Sequence, residues 1–67
     1  MSPRRLKTVL KKLREAKGLS QRDLAKEAKV TGAYVAQLET GVRKNPSLDA
    51  LKRLAKALGV PVAELLE

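Results

Sequence analysis

The side chains of this 67-residue chain that could do chemistry are cations and amides rather than nucleophiles or metal ligands. Fifteen Lys and Arg residues outnumber seven Asp and Glu residues, which gives a formal net charge of +8, and His and Cys are absent. The commonest general base and any thiolate site are therefore missing. Asp23 and Glu27 are one helical turn apart, but two carboxylates alone do not complete a metal site. The composition argues against an enzyme, predicts no cofactor, and favours a polyanion as partner.

The positive charge is concentrated near the N-terminus. Residues 1–17 hold seven basic residues and one acidic residue, whereas residues 18–40 hold three of each sign. The loop sequence VRKNP adds Arg43, Lys44 and Asn45. The same charges could form a surface that binds a polyanion or a basic surface that is only solvated. The secondary-structure elements that carry the charges distinguish these two interpretations.

Those elements are predicted to be helices. Apolar residues recur at helical spacing, and no segment alternates with period two for long enough to be a strand. Gly18, Gly41 and Gly59 are expected to end the first, third and fourth helices. The five predicted helices lie at about residues 4–17, 21–28, 32–40, 48–58 and 61–66.

Two of these helices carry clear apolar faces. The face of helix 1 is Leu6, Val9, Leu10 and Leu13, and the face of helix 4 is Leu48, Leu51, Leu54, Ala55 and Leu58. Since Tyr34 is the one aromatic residue, the predicted core consists of closely packed Leu, Val and Ala in a single small domain.

Residues 20–39, SQRDLAKEAKVTGAYVAQLE, predict two short helices that meet at a tight turn. Ser20 can cap the first helix, with Asp23 three residues later in a capping box, and Thr31 can cap the second. Ala25 is small enough to let the second helix cross closely. This arrangement is typical of a helix-turn-helix.

From about Leu6 to Leu66 the chain resembles the Xre family, the helix-turn-helix domains of the phage lambda and 434 repressors and Cro. The matching segments are residues 20–39, the overlapping VTGAYVAQLETG, then NPSLDALKRLAKALGV and PVAELL, in the family's order. The resemblance implies an all-α, five-helix lambda-repressor-like bundle, with residues 1–67 as one DNA-binding domain. It implies a transcriptional regulator that binds double-stranded DNA sequence-selectively with helix 3 in the major groove. A homodimer is expected because one short helix reads too few base pairs for useful selectivity.

The resemblance also implies where DNA is contacted. The predicted interface is Gln21, Arg22, Thr31, Gly32, Ala33, Tyr34, Gln37, Arg43, Lys44 and Asn45. Gly32 and Ala33 match base-reading positions but carry no side-chain donor, so direct readout is expected to be sparse and DNA shape important. Gln37 can bond adenine edges, and Arg43 and Lys44 suit phosphate. Tyr34 can contact a base or serve as a partly buried packing residue.

Two further positions follow from the resemblance. Arg14 and Glu39 match an ion pair that, in the phage repressor domains, holds helix 3 against helix 1. Lys29 stands where the family usually has Gly, so we predict a positive φ at Lys29; the alternative is a turn of different geometry.

The partner interpretations remain open at this stage. A homodimer could use Val62, Leu65 and Leu66, or the loop at residues 42–46. An antitoxin-like or adaptor module on the same fold, holding a protein partner, is the alternative function. Helix 1 is basic and amphipathic, but its apolar face is explained more simply as core than as a membrane contact. With no apolar span and no signal peptide, a cytoplasmic location is expected.

Overall fold

The computed structural model describes residues 3–43 and 45–66, and over these ranges the chain forms five α-helices and no strand. The helices are α1 (Pro3–Ala16), α2 (Gln21–Ala28), α3 (Gly32–Thr40), α4 (Leu48–Leu58) and α5 (Ala63–Leu66). The prediction of an all-α, five-helix architecture is confirmed. The helix bounds agree with the predicted ones to within two residues, which is the usual precision for helix ends.

A cluster of buried aliphatic side chains joins all five helices. Its largest fully buried members are Leu6, Leu10, Leu24, Val35, Leu38, Leu54 and Leu65. The first helix packs against α3 and α5, while α2 packs against α3 and α4. Because α3 is held by both α1 and α2, its apolar side lies in the core and its other side can face a ligand.

Two apolar positions differ from the sequence-based expectation. Leu48 was expected on the core face of α4, but it is 55% exposed. It is the first residue of the helix, and the apolar face of α4 extends there beyond the neighbouring helices that cover its other members. Leu65 was expected to be available for a dimer contact, but it is 0% exposed. The short α5 turns Leu65 inward to close the core, so the prediction of a dimer contact through this residue is wrong.

Candidate nucleic-acid interface

Local hydrogen bonds define the start of α2 and the turn that follows it. The backbone N–H of Asp23 donates to Ser20 Oγ over 2.9 Å, and the N–H of Ser20 donates to Asp23 Oδ2 over 3.2 Å, so the predicted capping box is confirmed. The Ser20 contacts also lower the pKa of Asp23 below its ordinary value, mainly through the backbone bond. At the other end, Lys29 has φ 60° and ψ 43°, as predicted. Val30 N–H donates to Ala25 O over 2.9 Å and completes the helix end.

The predicted pair of Arg14 and Glu39 is present. Arg14 Nε lies 2.6 Å from Glu39 Oε2, and Nη2 lies 3.0 Å from Oε1. Arg14 Nη1 also donates to Leu19 O over 2.7 Å. With side chains only 10% and 3% exposed, the two residues form a buried bidentate bond that fixes α3 against α1.

The Glu39 carboxylate stays charged in this environment. Burial alone would raise its pKa, but hydrogen bonds from Arg14 and Gln21, with the positive charges of Arg14 and Lys11, lower the pKa of Glu39 below its ordinary value. The same hydrogen bond raises the pKa of Arg14. Both partners are therefore ionised near neutral pH.

Gln21 belongs to this arrangement as well as to the predicted interface. As the first residue of α2 it stands where the free backbone N–H groups and the positive end of the helix dipole favour a phosphate. Its side-chain Nε2, however, donates to Glu39 Oε1 over 3.0 Å. Sequence reasoning missed this bond, which links the start of α2 to the end of α3.

The predicted base-reading residues lie along one side of α3. Thr31 caps the helix by accepting the Tyr34 N–H over 3.1 Å. Ala33 is exposed, while Gln37 and Tyr34 are half-buried, and the ring of Tyr34 packs against the core. The packing role considered for Tyr34 is therefore present, and its contact with a base stays a prediction.

In the described part of the chain, nothing around Gly32 requires it to lack a side chain. It opens α3 without a positive φ, and a Cβ built there meets nothing within 4 Å. A glycine that packing does not require is suited to a surface that another molecule approaches closely. This observation agrees with the predicted place of Gly32 in the interface.

Arg43 folds back onto α3, which the sequence did not predict. Gly41 adopts φ 86°, and the chain turns so that Arg43 N–H donates to Gln37 O over 3.1 Å. Arg43 Nε then donates to Gln37 Oε1 over 3.3 Å, and its guanidinium carbon lies 5.0 Å from the centre of the Tyr34 ring. The glycine after the last turn of α3 was the one available signal for this reversal. We call Tyr34, Gln37 and Arg43 the Arg43 cluster.

The remaining predicted contacts are surface residues. Arg22, early in α2, and Asn45, in the loop after α3, are both exposed. Lys44 lies outside the described residues. Over residues 3–43 and 45–66, no three metal-binding side chains come together, and no helix has the length and apolarity needed to cross a bilayer.

The chain is similar to known helix-turn-helix proteins. The family model described as Helix-turn-helix matches residues 10–65. The transcriptional regulator DdrOP3 of Deinococcus deserti is 43% identical over 58 residues, which make up 87% of this chain but only 44% of DdrOP3. This chain therefore spans less than half the length of that relative.

Solved structures share the fold. The restriction-modification controller protein C.AhdI from Aeromonas hydrophila superposes with a TM-score of 0.89 and 40% identity, covering 94% of both chains. SinR, a master regulator for biofilm formation, has a TM-score of 0.89 and 32% identity in a complex with DNA, covering 92% of this chain and 98% of that chain. SinR is also known in complex with SinI, at 32% identity over 92% of this chain and 60% of that chain, with a TM-score of 0.88. The chain belongs to the Xre/cI-type helix-turn-helix family.

Proposed function

We propose that this protein is a transcriptional regulator that binds double-stranded DNA with α3 in the major groove. One observation carries the proposal. The buried Arg14–Glu39 ion pair holds one side of α3 against α1, while the opposite side of α3 carries exposed and half-buried polar groups. SinR, which shares this fold, has been solved in complex with DNA, and this supports DNA as the ligand. The net charge of +8 suits a polyanion.

The two helices would have different tasks on DNA. The N-terminus of α2, with Gln21 and Arg22, would lie against phosphates, while Gly32, Ala33 and Gln37 would face base edges. Gly32 would let the start of α3 approach the DNA closely. Thr31, Lys44 and Asn45 would contribute at the edge of the interface.

We further propose that the protein binds as a two-fold dimer in the cytoplasm. One short helix reads few base pairs, and a second copy on a symmetric site would double the readout. The dimer contact is supported by exposed apolar residues in or beside the loop at residues 42–46 and in α5, namely Val42, Leu48 and Leu66. Sedimentation of the protein with and without DNA tests the dimer, and a 1:1 complex would refute it.

DNA binding is tested by selecting duplexes from a random library and measuring affinity for selected and random duplexes against salt. Gln37→Ala is expected to lower affinity for the selected site by about 1–3 kcal/mol per half-site and to leave random DNA almost unaffected. Arg22→Ala is the matched control for a phosphate contact. It is expected to weaken both duplexes alike and to reduce the salt slope by roughly one unit for each phosphate that Arg22 neutralises.

The outcomes separate the two candidate roles. Equal loss on both duplexes in Gln37→Ala would make Gln37 a backbone contact and leave selectivity to DNA shape. If the wild-type protein shows no salt-dependent DNA binding, the proposed function is wrong and an adaptor that holds a protein partner takes its place.

A further inference from the structure

Arg43 is held on the exposed side of α3 by three contacts. Its backbone N–H bonds Gln37 O at 3.1 Å, its Nε bonds Gln37 Oε1 at 3.3 Å, and its guanidinium lies 5.0 Å from the ring centre of Tyr34. A loop arginine that only neutralises phosphate needs no such support. Contacts of this kind reduce the number of conformations that must be lost on binding.

The contacts leave the two terminal amino groups of Arg43 for a ligand. Among the described residues, no side chain or carbonyl accepts from Nη1 or Nη2, and no carboxylate pairs with Arg43. Arg43 is also exposed. The planar pair of donors is therefore presented beside the predicted base-reading residues rather than engaged within the fold.

The same contact changes what Gln37 can read. Arginine has only donors, so the atom of Gln37 that faces Arg43 Nε must be the amide oxygen. Bidentate recognition of adenine requires that oxygen to accept from the N6 amino group while the amide nitrogen donates to N7. Because Arg43 already donates to that oxygen, the N6 amino group of an adenine bound there would lie beside the N–H donors of the guanidinium, and two sets of donors do not pair. Guanine instead offers two acceptors, O6 and N7, to which arginine donates bidentately.

We infer that Arg43, positioned by Tyr34 and Gln37, is a specificity-determining residue that reads a guanine in the major groove. This inference rests on the proposed function and replaces the sequence-based assignments of Arg43 to phosphate and Gln37 to adenine. Gln37 acts as a positioning residue for Arg43, and its amide nitrogen adds a further donor on the same surface. Tyr34 supports the cation through the face of its ring.

The test compares duplexes selected by the wild-type protein with those selected by Arg43→Ala. The wild-type protein is expected to select guanine at one position in each half-site. Arg43→Ala should still bind DNA but lose about tenfold in its preference for guanine at that position. Circular dichroism of the variant checks the fold, which a change at this exposed residue should not disturb.

A base analogue locates the contact. Replacing the selected guanine by 7-deazaguanine removes the N7 acceptor and should weaken wild-type binding about tenfold, while Arg43→Ala should bind both duplexes alike. Tyr34→Phe keeps the ring and should keep the guanine preference, whereas Tyr34→Leu should reduce it. These variants separate positioning of Arg43 from any contact made by the tyrosine hydroxyl.

Three results would overturn the inference. If Arg43→Ala weakens all duplexes equally and keeps the guanine preference, Arg43 is a phosphate contact. If the wild-type protein selects adenine at a position that depends on Gln37 alone, Gln37 reads without Arg43. If the wild-type protein binds no duplex, the proposed function itself fails, which is a distinguishable result.

Discussion

Arg14 and Arg43 both donate hydrogen bonds to side chains of α3, but they differ in burial and in how many of their nitrogens are bonded within the fold. Arg14 is buried, and its donors bond both oxygens of Glu39 and the carbonyl of Leu19. Arg43 is exposed, and it bonds a neutral amide while its terminal amino groups meet no described partner.

The positions of the two acceptors explain this difference. Gln37 and Glu39 are two residues apart, so they leave a helix in nearly opposite directions. Glu39 therefore faces α1, where Arg14 is, while Gln37 faces outward, where the chain after α3 returns. A buried guanidinium whose three nitrogens each donate a hydrogen bond stabilises the fold, and an exposed one whose terminal nitrogens have no described acceptor suits a ligand.

The largest expected effect is on stability, at the buried pair. Arg14→Ala leaves Glu39 as an unpaired buried charge and should lower the free energy of unfolding by about 3–5 kcal/mol, measured by urea denaturation. Glu39→Ala should also destabilise, and the double variant should lose less than the sum of the single losses. Additive losses would show that the two side chains do not stabilise each other.

Acid should weaken the same pair. Since Glu39 has a lowered pKa in the folded protein, the unfolded chain binds this proton more readily. The stabilisation is complete above the ordinary Glu pKa of about 4.3 and is lost as the pH falls through the lower folded value.

Thermal unfolding of the wild-type protein and Glu39→Gln across this pH range provides the measurement. As the pH falls, the Tm of the wild-type protein should decrease more steeply than the Tm of Glu39→Gln. Both plots of Tm against pH should keep some slope because the pKa of Asp23 is also lowered in the folded protein. Glu27→Gln removes an exposed carboxylate and serves as the control. Parallel curves for the wild-type protein and Glu39→Gln would contradict the ionised pair.

A smaller effect on stability is expected at the turn between α2 and α3. This turn sets the direction of α3 and therefore the positions of the two acceptors, Gln37 and Glu39. Lys29 has φ 60°, which costs a residue with a Cβ about 1 kcal/mol. Lys29→Gly relieves this strain but gives the unfolded chain more freedom, so stability should be unchanged or slightly higher. Lys26→Gly, inside α2, should instead lose about 1 kcal/mol. Equal losses in the two variants, measured by denaturation, would contradict strain at Lys29.

The smallest stability effect is expected at Arg43. Its contacts are exposed, so Arg43→Ala should change the free energy of unfolding by less than about 1 kcal/mol. The same substitution should have a large effect on the choice of DNA sequence. A stability loss as large as that of Arg14→Ala would mean that Arg43 serves the fold, and the contrast between the two arginines would disappear.

Most of the fold could be predicted because its signals are local. Ser20, Thr31 and Ser47 each cap a helix, and each accepts a backbone N–H three residues later. The left-handed conformation at Lys29 followed from a resemblance rather than from the residue itself. Burial was harder to predict, since Leu48 and Leu65 both fit a helical row and only the packing of neighbouring helices makes one exposed and the other buried.

The sequence by itself determined five helices, a helix-turn-helix, a basic surface and, through its resemblance, the pairing of Arg14 with Glu39. These follow from short-range periodicity, caps and residue types. Only the tertiary structure decided which polar groups are already engaged: Gln21 bonds Glu39 across 18 positions, and Arg43 returns to Gln37 through the turn at Gly41. A side chain's remaining donors depend on partners that packing brings near, and no local pattern specifies those partners.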